Sequence, residues 1–518
     1  MSFSRIYSAQ THGLKGIIVS IETDISRGLY SFSVVGLPDK AVEEARDRMS
    51  SALKNSGFES PKSKNHKVVV SLSPADLKKE GAAFDLGMAL GYLLSEELIS
   101  FDPEKKLFIG ELSLNGDTRP VKGILPLVEE AKRRGFTDIF VPKENEKEAA
   151  LVKGVTIFPV RTLSEIVAHL NTKRKEGDPV VSIAPAEETT IERTERDMSL
   201  DWSDIKGQES AKRGLMIAAA GGHNIAMSGP PGTGKTMLAR AFSGVLPELS
   251  RDDILEITGI HSVAGALSNE LIVHPPFRSP HHTSSYVSII GGGAFPKPGE
   301  VTLAHKGVLF LDEFPEFEKR VIESLRQPLE DKIVTVSRAK GTIAFPSNFI
   351  LVAAMNPCPC GFYGTDTRPC TCSASDLARY QRKISGPIVD RIDLWVTVGS
   401  IDYETLADNV RRGESSKEIA EKIKHARLIQ QKRFKNHERS ITTNSQMNVK
   451  DLPLYCALSK EATEILNKSA EKLNLSARAY HRIIKLARTI ADIDGSNDIQ
   501  ITHLLEAIQY RPKQGSLA

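Results

Sequence analysis

The sequence predicts an α/β protein whose core is a parallel sheet flanked by helices, and three observations predict it. A glycine-rich loop at residues 229–236 lies between a strand-like apolar run and a helical pattern. Two later apolar runs, at 307–311 and 349–355, each end in polar residues, as parallel strands do at a ligand-binding edge. An α+β pattern precedes this core, and charged helical patterns at 414–437 and 459–511 predict an all-helical region after it.

Length and composition indicate several domains. The 518 residues exceed one ordinary core, and 40% hydrophobic with 26% charged residues is typical of a globular protein. We expect an N-terminal domain at 1–171, a polar linker at 172–200, the core at 201–400 and a helical lid at 401–518. The sequence shows no signal peptide and no apolar stretch long enough for a bilayer, so we expect a cytoplasmic protein with no membrane partner.

Two elements of the N-terminal domain follow from local patterns. Residues 67–72 form a short, β-branched run, which predicts a strand. Val42, Ala45, Met49 and Leu53 recur at helical spacing, which predicts a helix over residues 42–55 with one apolar face.

The glycine-rich loop predicts a nucleotide site. Strand, glycine loop, Gly-Lys-Thr and helix is the order that a P-loop requires, because backbone N–H groups and the helix N-terminus then converge on phosphate. The expected phosphate-binding residues are Gly229, Pro230, Pro231, Gly232, Thr233, Gly234, Lys235 and Thr236. Lys235 is expected to contact the β- and γ-phosphates of ATP, and Thr236 to bind Mg²⁺.

Polar residues after the two later strands complete the expected site. Asp312 is placed to hold Mg²⁺ together with Thr236, and Glu313 is the natural base for the attacking water. Asn356 is expected to orient that water or to sense the γ-phosphate; the alternative is a turn residue before Pro357.

Longer strings resemble AAA+ ATPases and, among them, the magnesium-chelatase-like group called the ComM/YifB family. These strings are Pro276-Phe-Arg-Ser-Pro-His-His-Thr283, Asn356-Pro-Cys-Pro-Cys-Gly361, Ser385-Gly-Pro-Ile-Val-Asp-Arg-Ile-Asp393 and Ala487-Arg-Thr-Ile-Ala-Asp492. The resemblance implies a P-loop AAA+ core and a homo-oligomeric ring, a hexamer, with ATP bound between neighbouring subunits.

The resemblance also implies two catalytic arginines. Arg391 matches the arginine finger that reaches into the next subunit's ATP site, a task suited to its planar fork. The alternative for Arg391 is a local salt bridge with Asp390 or Asp393. Arg478 resembles the second sensor on the helical lid, with Arg482 as its competitor one turn later.

Between Asp312 and Asn356, two alternating β-type runs flank the sequence Ser-Arg-Ala-Lys-Gly, which predicts a hairpin with a basic tip. In related motors such a hairpin points into the pore of the ring. Arg338 and Lys340 are then candidates for contacts with a DNA backbone, and the alternative is a solvated turn. His281 and His282 lie in a segment that resembles a second family insertion near the pore. We expect them to have a structural or substrate-contacting role, because no third metal ligand is evident.

Four of the five cysteines form two C-x-C pairs, Cys358 with Cys360 and Cys370 with Cys372. Four thiolates can close a tetrahedral site around Zn²⁺, and a structural zinc would staple this irregular loop. The alternatives are reduced cysteines or a redox-sensitive loop.

The N-terminal domain resembles the proteolytic domain of Lon-type proteases through Lys79-Glu-Gly-Ala-Ala-Phe-Asp-Leu and Gly110-Glu-Leu-Ser-Leu-Asn-Gly-Asp. Ala83 stands where those enzymes place the nucleophilic serine, and Leu125 where they place the activating lysine. Without both groups no acyl-enzyme can form, so we expect a degenerate, non-proteolytic Lon-like module. Ser71, Ser73 and Lys122 lie nearby and leave the alignment open by a few positions.

The predicted ATPase is compatible with three functions. The resemblance favours a motor that acts on single-stranded or branched DNA. It would drive branch migration or unwinding in recombination of incoming DNA during natural transformation. The second function is a chelatase-type motor that remodels a protein partner. The third, a Lon-like protease or protease regulator, is disfavoured by Ala83 and Leu125.

Overall fold

The computed structural model describes residues 2–173, 181–192, 200–267, 271–293, 296–338, 341–365, 368–402, 404 and 413–512. The chain forms two compact units: residues 1–192 with 251–271, and residues 193–250 with 272–518. Among the helices that the structure describes, none combines the length and the apolar character that crossing a bilayer needs.

The first layer of unit one is a four-stranded sheet with two helices. Its strands, in spatial order, are Ser2–His12, Lys15–Arg27, His66–Ser73 and Ser31–Val35. The first three pair antiparallel and the last pair is parallel. The helices are Lys40–Asn55 and Asp85–Ser95. The first of these confirms the predicted helix: the Asp39 carboxylate caps it by accepting from the Val42 N–H, and its apolar face is buried.

The second layer of unit one is a three-stranded parallel sheet, formed by Lys106–Phe108, Asp138–Pro142 and Thr156–Val160. One phenylalanine from each strand stacks on the next, with ring centroids 4.9 and 4.8 Å apart. The short strands Glu111–Leu112 and Thr118–Arg119 pair antiparallel. The remaining α- and 3₁₀-helices are Pro61–Ser63, Ile124–Arg133, Lys143–Asn145, Glu146–Ala149, Leu163–Leu170 and Arg251–Ala264.

Two segments outside residues 1–171 also pack within unit one. In the polar stretch 172–200, Ile183 is buried and the Ala186 N–H donates to the Ile157 carbonyl at 2.8 Å. The helix Arg251–Ala264, from the stretch assigned to the ATPase core, brings the Ser262 hydroxyl to within 2.8 Å of the Gly123 N–H. A few well-placed apolar side chains are therefore enough to dock a segment whose average composition is polar.

Unit two is built on a five-stranded parallel sheet. In spatial order its strands are Phe277–Arg278, Val308–Leu311, Ile350–Met355, Ile225–Ser228 and Leu394–Thr397. This arrangement confirms the predicted α/β class. It also places the carboxyl ends of the P-loop strand and the two acid- and amide-bearing strands side by side at one edge.

Several short elements surround this sheet. The predicted hairpin is confirmed as the antiparallel strands Ile333–Arg338 and Gly341–Pro346. A smaller hairpin pairs Gly291–Gly292 with Lys297–Pro298. The α- and 3₁₀-helices are Trp202–Asp204, Glu209–Gly221, Lys235–Gly244, Tyr286–Ile290, Glu300–Leu303, Phe314–Glu316, Lys319–Ser324, Arg326–Asp331, Ala374–Gln381 and Gly386–Val389.

Residues 413–512 of unit two are helical, as the charged periodic patterns predict. The helices are Ser416–Phe434, Asn444–Gln446, Leu452–Tyr455, Lys460–Lys472, Ala477–Ile493 and Ile501–Gln509. A buried hydrogen-bond network joins the helices Ser416–Phe434 and Ala477–Ile493. In it, Asp492 accepts from Arg433 at 2.5 and 2.8 Å and from Arg488 at 3.1 Å. Hydrogen bonds to both arginines compensate for burial of the carboxylate.

Candidate ATP site and its surroundings

The P-loop connects the strand Ile225–Ser228 to the helix Lys235–Gly244. At Gly229 an added Cβ would lie 2.1 Å from the Val398 carbonyl oxygen, so no larger residue fits. Gly232 and Gly234 have φ of +76° and +85°, which L-residues rarely adopt. The loop therefore needs its glycines to turn into the helix, whose free N–H groups can face phosphate.

The Lys235 ammonium lies inside this loop. It donates to the carbonyls of Gly229 and Pro230 at 2.7 and 2.8 Å, and to the Asn356 side-chain oxygen at 3.3 Å. Burial lowers the pKa of Lys235, and the nearby Asp312 carboxylate acts in the opposite direction. The structure thus brings together the lysine and the amide that the sequence assigned to one phosphate site.

Thr236 and Asp312 meet directly. The Thr236 hydroxyl donates to one Asp312 carboxylate oxygen at 2.9 Å, and the other oxygen accepts from the Glu313 N–H at 2.9 Å. A hydroxyl beside a carboxylate is a donor set that suits Mg²⁺, which prefers hard oxygen ligands. The two residues fit the predicted role of holding Mg²⁺ at the end of the P-loop.

Glu313 has a partner that the sequence pattern did not reveal. Its backbone adopts the left-handed conformation, with φ of +50°, and its carboxylate lies 2.9 Å from Nδ1 of His282. The His282 ring also meets Phe317 edge-on, with ring centroids 6.4 Å apart. No local periodicity links positions 282 and 313; the adjacent His-His pair was the one available signal that this segment carries chemistry.

Asn356 follows directly after the strand Ile350–Met355, next to the P-loop strand in the sheet. Its backbone carbonyl accepts from the Tyr380 hydroxyl at 3.1 Å, and its side chain faces Lys235. Burial raises the pKa of the Tyr380 hydroxyl well above its usual range, so this phenol remains a donor. Asn356 is therefore held by Tyr380 through its backbone and by Lys235 through its side chain. This is the position expected for a γ-phosphate sensor.

Family models match three segments of the chain. The model of magnesium chelatase, subunit ChlI, matches residues 201–406; a model of subunit ChlI of Mg-chelatase matches residues 21–145; the ChlI C-terminal model matches residues 413–511. Competence protein ComM of Haemophilus influenzae is 41% identical over 517 residues, covering 99% of this chain and 98% of that protein. This chain belongs to the magnesium-chelatase-like AAA+ family of ComM and YifB.

Other relatives support this ComM/YifB membership. YifB of Escherichia coli is 40% identical over 513 residues, covering 99% of this chain and 97% of that protein. The Lon protease of Brevibacillus choshinensis is 24% identical over 173 residues, 32% of this chain and 22% of that enzyme. The likeness to Lon is thus partial, whereas the likeness to the ComM/YifB family spans the whole chain.

The two arginines assigned from the family pattern lie together. Arg391 pairs with Glu330 and donates to the Pro387 carbonyl at 2.8 Å; its side chain is 9% exposed. Arg478, with a side chain 59% exposed, lies 3.3 Å from the same Glu330 carboxylate. They flank a cavity of about 560 Å³ lined by six arginine or lysine side chains and three carboxylates. The ion pair of Arg391 is with Glu330, not with the two aspartates considered from the sequence.

Arg482 has a different task from Arg478. It donates to Asp393 at 2.5 Å and to the Arg391 carbonyl at 3.1 Å. The Asp393 carboxylate also accepts from the Asn224 N–H at 3.0 Å. Although burial acts against it, the Arg482 charge and the hydrogen bonds hold the pKa of Asp393 well below its usual range. Arg482 is thus occupied in the core, which leaves Arg478 as the more accessible of the two lid arginines.

The four clustered cysteines converge. Cys358, Cys360, Cys370 and Cys372 place their ligand atoms within 4.8 Å of one another. Backbone N–H groups of Phe362 and Thr371 lower the pKa of the Cys360 thiol to about 5. The fifth, Cys456, is buried elsewhere, near Met447, as expected for a core residue.

The proposed DNA-contacting side chains fall at the end of the confirmed hairpin. Arg338 ends its first strand, but its side chain lies outside the described residues, as does the whole of Lys340. Their role stays a prediction.

Ala83 and Leu125 belong to one apolar cluster of unit one, and both are buried. The cluster packs aliphatic side chains where the Lon resemblance would place a serine and a lysine. Beside it, Glu148 accepts from the Leu125 N–H at 2.9 Å, and burial raises the pKa of Glu148. Two aliphatic side chains at these positions offer neither a nucleophile nor its base.

Proposed function

We propose that this chain is an ATPase that works as a hexameric ring in the cytoplasm and moves single-stranded or branched DNA. The observation that carries the ATPase part is the convergence of Lys235, Thr236, Asp312 and Asn356 at one edge of the sheet. Glu313, adjacent to Asp312, would polarise the attacking water. Mg²⁺, when bound by Thr236 and Asp312, would neutralise charge on the β- and γ-phosphates.

The contacts of Arg391 and Arg478 support the proposed ring. Both contact Glu330 beside a strongly basic cavity, and neither is bonded to the P-loop of its own subunit among the described contacts. A neighbouring subunit's triphosphate would compete with Glu330 for these guanidinium groups and so complete an ATP site shared by two subunits.

DNA is proposed as the substrate on two grounds. The hairpin Ile333–Arg338 and Gly341–Pro346 immediately precedes the strand that carries Asn356, so force on its tip would reach the γ-phosphate sensor. The relative from Haemophilus influenzae that matches over nearly the whole chain is named a competence protein. Branch migration during recombination of incoming DNA fits both.

The alternative is a chelatase-type motor that remodels a protein partner, which the family models' descriptions favour. A Lon-like protease has less support, because Ala83 and Leu125 are buried aliphatic residues. The cysteine cluster is proposed to hold a structural Zn²⁺ alongside ATP and Mg²⁺.

The test is the ATPase rate with and without single-stranded, duplex and four-way-junction DNA, using Glu313→Gln as the inactive control. Stimulation that is greatest with branched DNA supports the motor. Stimulation by no DNA, in a protein that assembles and hydrolyses ATP, would favour protein remodelling.

Two double variants test whether the hairpin contacts DNA. Arg338→Ala with Lys340→Ala should weaken DNA binding at low salt, whereas Lys417→Ala with Lys424→Ala removes the same charge from an exposed lid surface. Equal DNA affinity of the two double variants would remove the hairpin as a major contact.

A further inference from the structure

The cysteine segment occupies the stretch between Asn356 and the helix Ala374–Gln381. The sulfur of Cys358 lies 3.3 Å from that of Cys360 and 3.8 Å from that of Cys370, and the last two are 3.5 Å apart. A zinc ion with Zn–S bonds of about 2.3 Å has tetrahedral S···S edges of about 3.8 Å. The three measured S···S distances are equal to or shorter than that value, and all four ligand atoms lie within 4.8 Å of one another, close enough to surround one ion.

Packing alone does not explain this convergence. Cys358 is fully buried, but the other three clustered cysteines are only partly buried, so little apolar area is gained by bringing their sulfurs together. The Tyr363 N–H points at the Cys358 sulfur from 3.3 Å. Four adjacent thiolates would repel one another without a cation between them.

The segment also touches the ATP site at two points. Cys358 is two residues after Asn356, so the first ligand and the predicted sensor share one short backbone stretch. Gly361, with φ of +87°, packs so closely on the P-loop that an added Cβ would lie 2.6 Å from Cδ of Pro231. The cysteine loop is therefore in van der Waals contact with the phosphate-binding loop.

The C-terminal end of the cysteine segment also leads to a contact with Asn356. Cys372 is followed by Ser373, which caps the helix Ala374–Gln381 by accepting from the Asp376 N–H at 3.2 Å. That helix carries Tyr380, whose hydroxyl donates to the Asn356 carbonyl. A metal at the four sulfurs would thus connect the chain before the loop, which carries Asn356, to the helix after it, which carries Tyr380.

We propose that Zn²⁺ bound by Cys358, Cys360, Cys370 and Cys372 positions Asn356 against Lys235, so that ATP hydrolysis requires the metal while nucleotide binding does not. This inference rests on the proposed ATPase and on the proposed zinc site. The cysteines are positioning residues in it, since they act through Asn356. Nucleotide binding survives because the P-loop glycines, Lys235 and the helix Lys235–Gly244 are shaped by the sheet itself.

The experiment compares the full-length protein with Cys370→Ser/Cys372→Ser and with Cys456→Ser, the matched control for loss of a thiol outside the cluster. Metal content is measured by elemental analysis, nucleotide affinity with a fluorescent ATP analogue, and turnover as steady-state ATPase rate. We expect one zinc per chain in the wild type and in Cys456→Ser. The double variant should lack zinc, keep its nucleotide affinity and lose turnover by about ten- to a hundred-fold.

A second measurement guards against a variant that does not fold. Zinc is stripped from the wild-type protein with a thiol-directed mercurial and a chelator, and turnover is followed before and after zinc is returned with excess thiol. Recovery of turnover on adding zinc supports the inference. Substitution by Co²⁺ should give the intense visible absorption of a tetrahedral thiolate site.

The possible outcomes distinguish the proposed ATPase, the proposed zinc site and the proposed dependence of hydrolysis on zinc. A wild-type protein that hydrolyses ATP without bound metal overturns the inference and the zinc site but leaves the ATPase intact. A zinc-free double variant with full turnover overturns the coupling alone. Zinc-loaded wild-type protein without any ATPase activity contradicts the proposed function and the coupling, whereas the metal analysis still establishes the site.

Discussion

Nδ1 of His282 lies 2.9 Å from the carboxylate of Glu313, the predicted base for the attacking water. The neighbouring His281 ring is tilted by 32° against the His282 ring with centroids 4.2 Å apart, but its own Nδ1 faces the Thr283 hydroxyl at 2.8 Å. His282 therefore contacts the predicted base, whereas the described contact of His281 Nδ1 is with Thr283. The segment that resembles a pore insertion therefore contacts the predicted ATP site through His282.

We expect His282→Ala to lower kcat by about three- to ten-fold with little change in KM. The hydrogen bond restrains the Glu313 carboxylate, and such bonds contribute about 1 kcal/mol when partly exposed. Steady-state ATPase kinetics measure the effect, with His281→Ala as the control. Equal losses in both variants would point to a general role of the loop and against a specific contact with Glu313.

Lys235→Ala and Glu313→Gln should separate nucleotide binding from turnover. Lys235 donates within the phosphate loop, so its removal should abolish ATP binding. The Glu313 carboxylate contacts His282 and is the predicted base, so Gln should leave affinity intact and block hydrolysis. Equilibrium binding of a fluorescent ATP analogue and ATPase rates decide the matter. If both variants lose binding alike, the two roles are misassigned.

Mixing experiments can test whether Arg391 acts on a neighbour. Arg391→Ala subunits keep their Glu313, and Glu313→Gln subunits keep their Arg391. If ATP lies between subunits, rings assembled from both variants contain some complete sites, so activity should return on mixing. Each variant alone should bind ATP and hydrolyse it at least about a hundred-fold more slowly than the wild type. Mixtures as inactive as their components would show that Arg391 does not work in trans.

Asp393→Asn should destabilise unit two, by about 3 kcal/mol, because it leaves the partly buried guanidinium of Arg482 beside a neutral amide. The folded pKa of Asp393 is lowered, so its contribution is present above the ordinary aspartate pKa near 4 and is lost as the pH falls toward the folded value. Urea unfolding at pH 7 and pH 3 measures this, and the difference from the wild type should shrink at the lower pH. Asp390→Asn, whose carboxylate accepts from Ser476, is the matched control.

Local patterns were sufficient to predict several elements correctly. The P-loop strand and helix, the hairpin before Asn356, the helix at 40–55 and the helical residues after 413 all follow from apolar spacing and glycine placement. Hydrophobic periodicity reports which face of a segment is buried, and that information is contained within a dozen residues. For the same reason, local patterns do not report which distant segment covers that face.

The sequence by itself was sufficient to predict a nucleotide site, since Lys235, Thr236, Asp312 and Glu313 are recognisable from residue type and order. The tertiary structure alone decided their partners: His282 for Glu313, Glu330 for both Arg391 and Arg478, and Pro231 for the cysteine loop. These contacts join segments far apart in the chain, where loop closure and sheet order, not periodicity, set the neighbours. Side-chain identity fixes what a residue can do, and the fold selects the residue on which it acts.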